Sequence, residues 1–218
     1  MNRKKVIKVA ALISGISGLT ILISSVWPII EYQLTDARAY TTLLSPLSVE
    51  NKDDQKKTDY TKASNWFPDA SKDKLIIDSK ISFYTVTIPK LKIENAVVSI
   101  GGEDLSKSLV QYPGTALPGK NGNAVIFGHS ILPIFYNPKN YMSIFSTLPT
   151  LKEGDDIFIE YDGISYAFKV EELFEIYPTD IQILEQNSSD SFLTLVTCVP
   201  PGDPRNPKRL IVRARVVS

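Results

Sequence analysis

The chain has 218 residues, and its 24 Lys and Arg residues balance 24 Asp and Glu residues to a formal net charge of zero. This length fits one domain, or one domain with an accessory segment. A net charge of zero argues against a nucleic-acid binder, because such proteins carry a strongly basic face. The single Cys excludes an intramolecular disulfide and a Cys-x-x-Cys site, and the single His excludes metal sites that need several His ligands.

Residues 1–31 predict a basic cytoplasmic tip followed by a transmembrane anchor. Four cations stand among the first eight residues, and residues 9–30 then run for 22 positions without a charge. A bilayer core of roughly 30 Å needs about 20 apolar residues in a helix, so this stretch is long enough to span a membrane. Flanking cations stay in the cytoplasm, which predicts an N-terminus inside and the rest of the chain outside the cell. A cleaved signal peptide is the alternative, favoured only by the small-x-small pattern at Ala37-Arg38-Ala39.

Residues 32–74 are predicted to be an extracellular linker. Between residues 50 and 74 the chain is dominated by Asp, Lys, Ser and Thr, with Tyr60, Trp66 and Phe67 as its only aromatic residues. Such a composition is typical of a solvated tether that holds a domain away from the membrane. A minority interpretation is that Trp66–Asp69 folds back over the domain as a lid.

Residues 75–218 predict an all-β domain. Short runs of β-branched and aromatic residues recur between Gly, Pro, Asn and Asp, at 82–88, 96–100, 123–127, 156–161, 164–176, 191–197 and 209–217. The pair Asp162-Gly163 between two of these runs predicts a tight hairpin turn. Helical candidates are few and short, at 104–111 and 141–148. About seven strands at this spacing predict an antiparallel barrel or sandwich with one or two short helices.

Three residues with catalytic side chains lie at the ends of predicted strands. His129 follows the run 123–128, Cys198 closes the run 192–197, and Arg209 opens the last strand. If the first two strands are neighbours, their ends bring His129 and Cys198 together, with Arg209 beside them. A lone Cys in an apolar strand is more often a small buried hydrophobe, so only the combination points to chemistry.

The combination predicts acyl transfer. A Cys thiolate is a strong nucleophile that forms a thioester with an amide carbonyl. A nearby His can protonate the leaving amine, and a permanently charged guanidinium can stabilise the oxyanion. By chemistry alone Arg205 or Arg213 could replace Arg209 in this role.

These residues stand in motifs that resemble those of sortases. Thr194–Cys198 followed by Arg209–Arg213 is similar to the TLxTC…R signature of that family, and Tyr112–His129 resembles the segment that carries the sortase His. Val86–Leu91 and Leu151–Asp155 are similar to further sortase landmarks, so the resemblance covers roughly residues 81–218.

The resemblance implies a closed, eight-stranded sortase β-barrel and a transpeptidase reaction. The enzyme would cleave an LPXTG-like sorting signal of a surface protein between Thr and Gly, through a thioester on Cys198. An amine from a cell-wall precursor or a pilin Lys would then accept the acyl group. By position in the motifs, His129, Cys198 and Arg209 would be catalytic, and Thr197 would help to shape the oxyanion and substrate site.

The resemblance also bears on subclass and cofactors. A single N-terminal anchor, with a chain that stops after its last strand, suits a housekeeping-type or class D/E-like sortase better than a pilus polymerase. Some sortases bind calcium through acidic loops, and Glu103-Asp104 and Glu171-Glu172 are available for this. Solvated surface carboxylates are the preferred interpretation, so no cofactor is predicted.

Two other functions compete with this hypothesis. One is another extracellular cysteine acyltransferase, such as an L,D-transpeptidase, which carries a compact Ser-His-Gly-Cys motif. Here the only His and the only Cys lie 69 residues apart (198 minus 129), which argues against it. The other is a membrane-tethered β-barrel that binds sorting-signal peptides without turning them over.

Overall fold

A computed structural model describes residues 3–31, 34, 41–42, 59–67, 81–186, 189–203 and 208–217. The chain forms two compact units, Met1–Ala39 and Tyr40–Ser218. Most of the predicted linker, 32–74, lies outside the described residues. Its described part at 59–67 packs within the second unit, where Trp66 and Phe67 are buried.

Helix α1, Arg3–Glu31, accounts for nearly all of the described residues of the first unit. Its stretch Ile7–Trp27 has 21 residues and is apolar enough to cross a membrane. At about 1.5 Å per residue such a stretch is about 31 Å long, which matches a bilayer core. Three of its hydroxyl groups are satisfied within the helix, since Thr20 donates to the Ile16 carbonyl and Ser24 and Ser25 donate to the Ile21 carbonyl. Polar side chains bonded in this way are tolerated in an apolar helix.

The second unit is a closed barrel of eight strands with a short additional strand. The strands are β1 Thr41–Thr42, β2 Phe83–Ile88, β3 Ile93–Ile100, β4 Leu109–Gln111, β5 Gly122–Phe127, β6 Asp156–Tyr161, β7 Ile164–Ile176, β8 Ser191–Val199 and β9 Lys208–Val216. They pair in the order β1-β7-β6-β2-β3-β4-β5-β8-β9, and the pairing of β7 with β9 closes the barrel. The predicted closed barrel of about eight strands is confirmed.

Most pairings in the barrel are antiparallel, but two are parallel. Strand β3 runs parallel to β4, and β5 runs parallel to β8. The hairpin between β6 and β7 turns at Asp162 and Gly163, which both have positive φ, of 55° and 72°. This is the geometry that the Asp-Gly pair predicts for a tight two-residue turn.

The two segments predicted as short helices contain turns instead. Residues 104–111 form turns that lead into β4, because residues 109–111 pair with β3 and β5. Residues 141–147 form a series of turns followed by a single 3₁₀ turn at Leu148–Thr150. Local turn hydrogen bonds satisfy backbone groups in both segments, for example from the Lys107 N–H to the Asp104 carbonyl and from the Ser146 N–H to the Ser143 carbonyl.

The outer face of β5, β8, β9 and β7 carries a second apolar layer. Alternate residues of these strands point outward and are buried in a cluster with residues from the loops. The cluster includes Val125, Phe127, Phe174, Ile176, Val196, Cys198 and Ile211 from the strands, with Ala63, Trp66, Phe67, Leu105, Val110 and Ile183. Cys198 therefore lies on the outer face of the barrel, where other residues of this cluster cover it.

Candidate active site

The parallel register of β5 and β8 brings His129 and Cys198 to the same edge of the sheet. Phe127 lies opposite Val196, and the Gly128 N–H donates to the Val196 carbonyl at 3.1 Å. His129 and Cys198 are each two residues beyond this pair. The sequence prediction that neighbouring strands carry these residues to a common end is confirmed by the pairing.

Strand β9 places Arg209 directly opposite Cys198 in the antiparallel ladder. Residues opposite each other in such a pair carry their side chains on the same face, about 5 Å apart at Cβ. Arg213 is four residues further along the same strand and opposite Thr194. Position in the ladder thus favours Arg209 over Arg213 as the partner of the thiol.

Cys198 is buried, with 1% of its surface exposed. Burial raises the pKa of its thiol from 9.0 to about 11, and the positive charge of Arg209 opposes this shift only in part. At neutral pH the thiol is therefore protonated in this conformation. A protonated thiol is a poor nucleophile, so Cys198 has to lose its proton before it can attack a carbonyl carbon.

His129 is partly buried, and burial lowers the pKa of its imidazole below 6.5, against the opposing effect of the Asp59 charge. The backbone N–H of Ser130 donates to Nδ1 at 2.9 Å. The His129 carbonyl accepts a hydrogen bond from the Phe145 N–H, which attaches this residue to the loop that follows. The resting site therefore combines a neutral imidazole with a neutral thiol.

Arg209 is also buried, with 1% exposure, although it carries a permanent charge. Its Nη2 donates to the Trp66 carbonyl at 3.3 Å, and its Nη1 donates to the Lys208 carbonyl at 3.2 Å. The guanidinium carbon lies 5.4 Å from the ring centre of Tyr60 and 5.3 Å from that of Trp66. Two aromatic faces and two carbonyls thus replace the water that such a charge normally binds.

Thr197 has a fully buried side chain. Because side chains alternate along β8, it points away from the face that carries Cys198. Its Oγ1 donates to the Gly128 carbonyl at 2.9 Å, which ties the strand of the Cys to the strand of the His. The side chain therefore holds the two strand ends together, and the role of Thr197 in shaping the oxyanion and substrate site stays a prediction.

Residues 59–67, which we call the cover, lie over this site. The Trp66 ring stacks on Phe127 at 5.4 Å with an interplanar angle of 11°, and Phe67 contacts the same ring at 5.7 Å. The cover is attached to the loop before β4, since Ala63 N–H donates to the Glu103 carbonyl and Leu105 N–H donates to the Thr61 carbonyl.

The sequence pointed to part of this cover. The lid predicted at 66–69 as a minority interpretation includes Trp66 and Phe67, which belong to the cover. Pro68 and Asp69 lie outside the described residues. Sequence reasoning missed Asp59 and Tyr60, which approach His129 and Arg209. Three aromatic residues in an otherwise polar stretch were the available signal.

The described residues contain no group of three or more His, Cys, Asp and Glu side chains that could hold a metal ion. The four carboxylates considered for calcium bond to protein groups instead. Glu103 accepts from the Ser64 N–H, Asp104 pairs with Lys107 at 2.9 Å, Glu171 pairs with Arg215 at 3.0 Å and Glu172 pairs with Arg213 at 3.4 Å.

Comparison with known proteins identifies this arrangement. A family model described as the sortase domain matches residues 86–217, which is more than half of the chain. The chain belongs to the sortase family. The sortase is 28% identical over 179 residues to sortase A of Bacillus anthracis, a match that covers 78% of this chain and 80% of that protein.

Solved sortase structures share the fold. The sortase D5 transpeptidase of Clostridium perfringens aligns with a TM-score of 0.53 and 27% identity, over 63% of this sortase and 79% of that chain. The pilus-related sortase C of Group B Streptococcus aligns with a TM-score of 0.55 and 26% identity, over 65% and 70% of the two chains. These matches confirm the predicted sortase-type barrel.

Membership of the family establishes the general activity. This sortase is a cysteine transpeptidase that attaches surface proteins bearing a sorting signal. Sortases act outside the cell, and the single N-terminal apolar helix fits a single-pass membrane anchor.

Proposed function

We propose that this sortase cleaves an LPXTG-like sorting signal between Thr and Gly, with Cys198 as nucleophile, His129 as acid and base, and Arg209 as oxyanion stabiliser. The observation that carries the proposal is the register of β5, β8 and β9, which gathers the three residues at one end of one sheet face. An amine of a cell-wall precursor or a pilin Lys accepts the acyl group. The anchor α1 holds the barrel outside the membrane, with the N-terminus in the cytoplasm.

The reaction begins when the thiol proton passes to the imidazole. The Cys198 sulfur forms a bond to the Thr carbonyl carbon, and the carbonyl oxygen gains the charge that Arg209 stabilises. The imidazolium returns the proton to the Gly nitrogen as the C–N bond breaks, which leaves a thioester. The acceptor amine then attacks the thioester carbon and gives its proton to the imidazole, which restores the thiol.

The cover has to leave the site before this reaction. Trp66 presents its carbonyl to Arg209, the group that the proposal assigns to the oxyanion, and its ring occupies the face of Phe127. Departure of the cover would expose the thiol, and loss of burial would bring the pKa of Cys198 down from about 11. The resting enzyme is thus held as a neutral thiol and imidazole.

Incubation of the full chain in detergent with a pool of LPXTG-like peptides and triglycine tests the proposal. Mass spectrometry should find an acyl adduct on Cys198 and a ligated product that carries triglycine after Thr. The Cys198→Ala variant should bind peptide but form neither species. A folded wild-type protein that binds the peptides and cleaves none of them would instead support the peptide-binding barrel.

A further inference from the structure

Ser130 forms hydrogen bonds with both His129 and Cys198. Its backbone N–H donates to His129 Nδ1 at 2.9 Å, and its Oγ donates to the Cys198 carbonyl at 2.8 Å. It is buried, with 5% exposure. A single residue thereby links the ring of the acid-base group to the backbone of the nucleophile.

The bond to Nδ1 determines which nitrogen of the neutral ring carries the proton. A backbone N–H can only donate, so Nδ1 must offer its lone pair to it and Nε2 must hold the ring hydrogen. A proton on Nδ1 would point at the Ser130 N–H. The neutral His129 is therefore the Nε2–H tautomer, so the proton that the thiol gives to the imidazole in the proposed mechanism enters at Nδ1 and has to displace this bond.

The bond to Cys198 acts on the other side of the site. The Cys198 carbonyl follows its Cα, so fixing it restricts rotation of the backbone that carries the thiol. Ser130 is itself held in place, since the next residue, Ile131, donates its N–H to Ser146 Oγ at 2.9 Å. The hydroxyl of Ser130 thus joins a loop that is already anchored to the end of β8.

We propose that Ser130 is a positioning residue that sets the tautomer of His129 through its N–H and the placement of Cys198 through its hydroxyl. The proposal rests on the catalytic roles given to these two residues above. It assigns Ser130 no contact with substrate. The two functions use different atoms, so they can be separated by substitution.

The tautomer can be measured directly because His129 is the only histidine in the chain. The full chain, labelled with ¹⁵N-histidine and kept in detergent at pH 8, should give NMR shifts of a protonated Nε2 and an unprotonated Nδ1. A dominant Nδ1–H tautomer would overturn the proposal. This measurement needs no substrate, so it decides the role of the N–H even if no peptide is cleaved.

Substitutions separate the two bonds. Ser130→Ala keeps the N–H and should retain the Nε2–H tautomer, while kcat for an LPXTG-like peptide falls about tenfold with little change in KM, in line with the cost of misplacing a reacting group. Ser130→Thr should restore kcat. Ser130→Pro removes the N–H and should yield a mixture of tautomers if it folds.

Ser143→Ala is the matched control. Ser143 is fully buried, and its Oγ accepts from the Asn137 N–H and donates to the Asn137 carbonyl, so its loss removes buried hydrogen bonds that do not involve His129 or Cys198. A purely structural Ser130 would lower the melting temperature as Ser143→Ala does and leave kcat unchanged. That result would overturn the role of the hydroxyl.

Discussion

Arg209 and Arg213 lie on the same face of β9 but in very different surroundings. Arg209 is buried against two aromatic rings opposite Cys198, whereas the Arg213 side chain is 31% exposed and pairs with Glu172. Side-chain chemistry alone left Arg205 and Arg213 open beside Arg209, and only the resemblance to the sortase motif favoured Arg209. The strand register, which is a tertiary property, distinguishes them.

Replacement of each arginine by Lys tests this distinction. Arg209→Lys keeps the charge but loses the planar array of N–H donors, so kcat should fall by about 10²–10³, as for the loss of one oxyanion donor. Arg213→Lys should stay within a few-fold of wild type. Rates of peptide cleavage by the two variants decide the matter, and the reverse ranking would show that Arg213 is the catalytic arginine.

The buried thiol of Cys198 makes stability depend on pH in the alkaline range. Its folded pKa of about 11 exceeds the usual 9.0, so the folded state keeps a proton that the unfolded chain releases above pH 9. Stability from this group is complete below pH 9 and is lost as the pH rises toward 11, by on the order of 2–3 kcal/mol.

Urea denaturation of wild type and Cys198→Ala at pH 8 and pH 10.5 would measure this effect. Only wild type should show the additional loss, because Ala does not titrate and all other groups are shared. Equal losses in both proteins would mean that folding does not raise the pKa of the thiol.

At the scale of elements, Trp66 makes much of the packing contact between the cover and the barrel. Trp66 is fully buried between Phe127 and Arg209, and its Nε1 donates to the Tyr60 carbonyl at 2.8 Å, which closes the cover on itself. Truncation of a buried Trp to Ala commonly costs about 3–5 kcal/mol. This loss of stability should detach the cover before it unfolds the barrel, because the barrel strands keep their pairing.

Trp66→Ala should therefore open the site without unfolding the barrel. Alkylation of Cys198 by iodoacetamide at pH 8 should become at least tenfold faster, and mass spectrometry reads it without ambiguity because the chain has one Cys. Trp27→Ala is the control, since Trp27 is 57% exposed on α1. An alkylation rate equal to that of wild type, with a normal circular dichroism spectrum, would show that Trp66 does not protect the thiol.

Sequence patterns predicted the strands well and the cover poorly, for a physical reason. Strand alternation, the Asp-Gly turn and the catalytic motifs are local signals, and the strand ends that carry His129 and Cys198 followed from them. The packing of Trp66 on Phe127 depends on a contact between residues 61 positions apart (127 minus 66). The polar residues that flank Trp66 are typical of a solvated tether. Composition therefore predicted an exposed environment for residues 59–67, in which Trp66 is in fact buried.

At the scale of the whole molecule, the charges at the N-terminus predict the orientation of the protein in the membrane. The basic residues at the start of α1 should keep the N-terminus in the cytoplasm and place the barrel outside. Lys120 lies in an exposed turn, so Lys120→Cys in a Cys198→Ala background provides a single accessible thiol. A membrane-impermeant maleimide should label it equally in intact and in lysed bacteria, whereas labelling only after lysis would place the barrel in the cytoplasm.

The parallel pairing of β5 with β8 also has a consequence for folding. Two parallel neighbours need a long connection, and here that connection contains β6 and β7, which are themselves strands of the barrel. The ends of β5 and β8 meet only after this connection has folded and β8 has paired with β5. The contact between these ends therefore forms late in folding and at a high cost in loop entropy. A folding chain therefore carries a thiol without its imidazole until the barrel is complete.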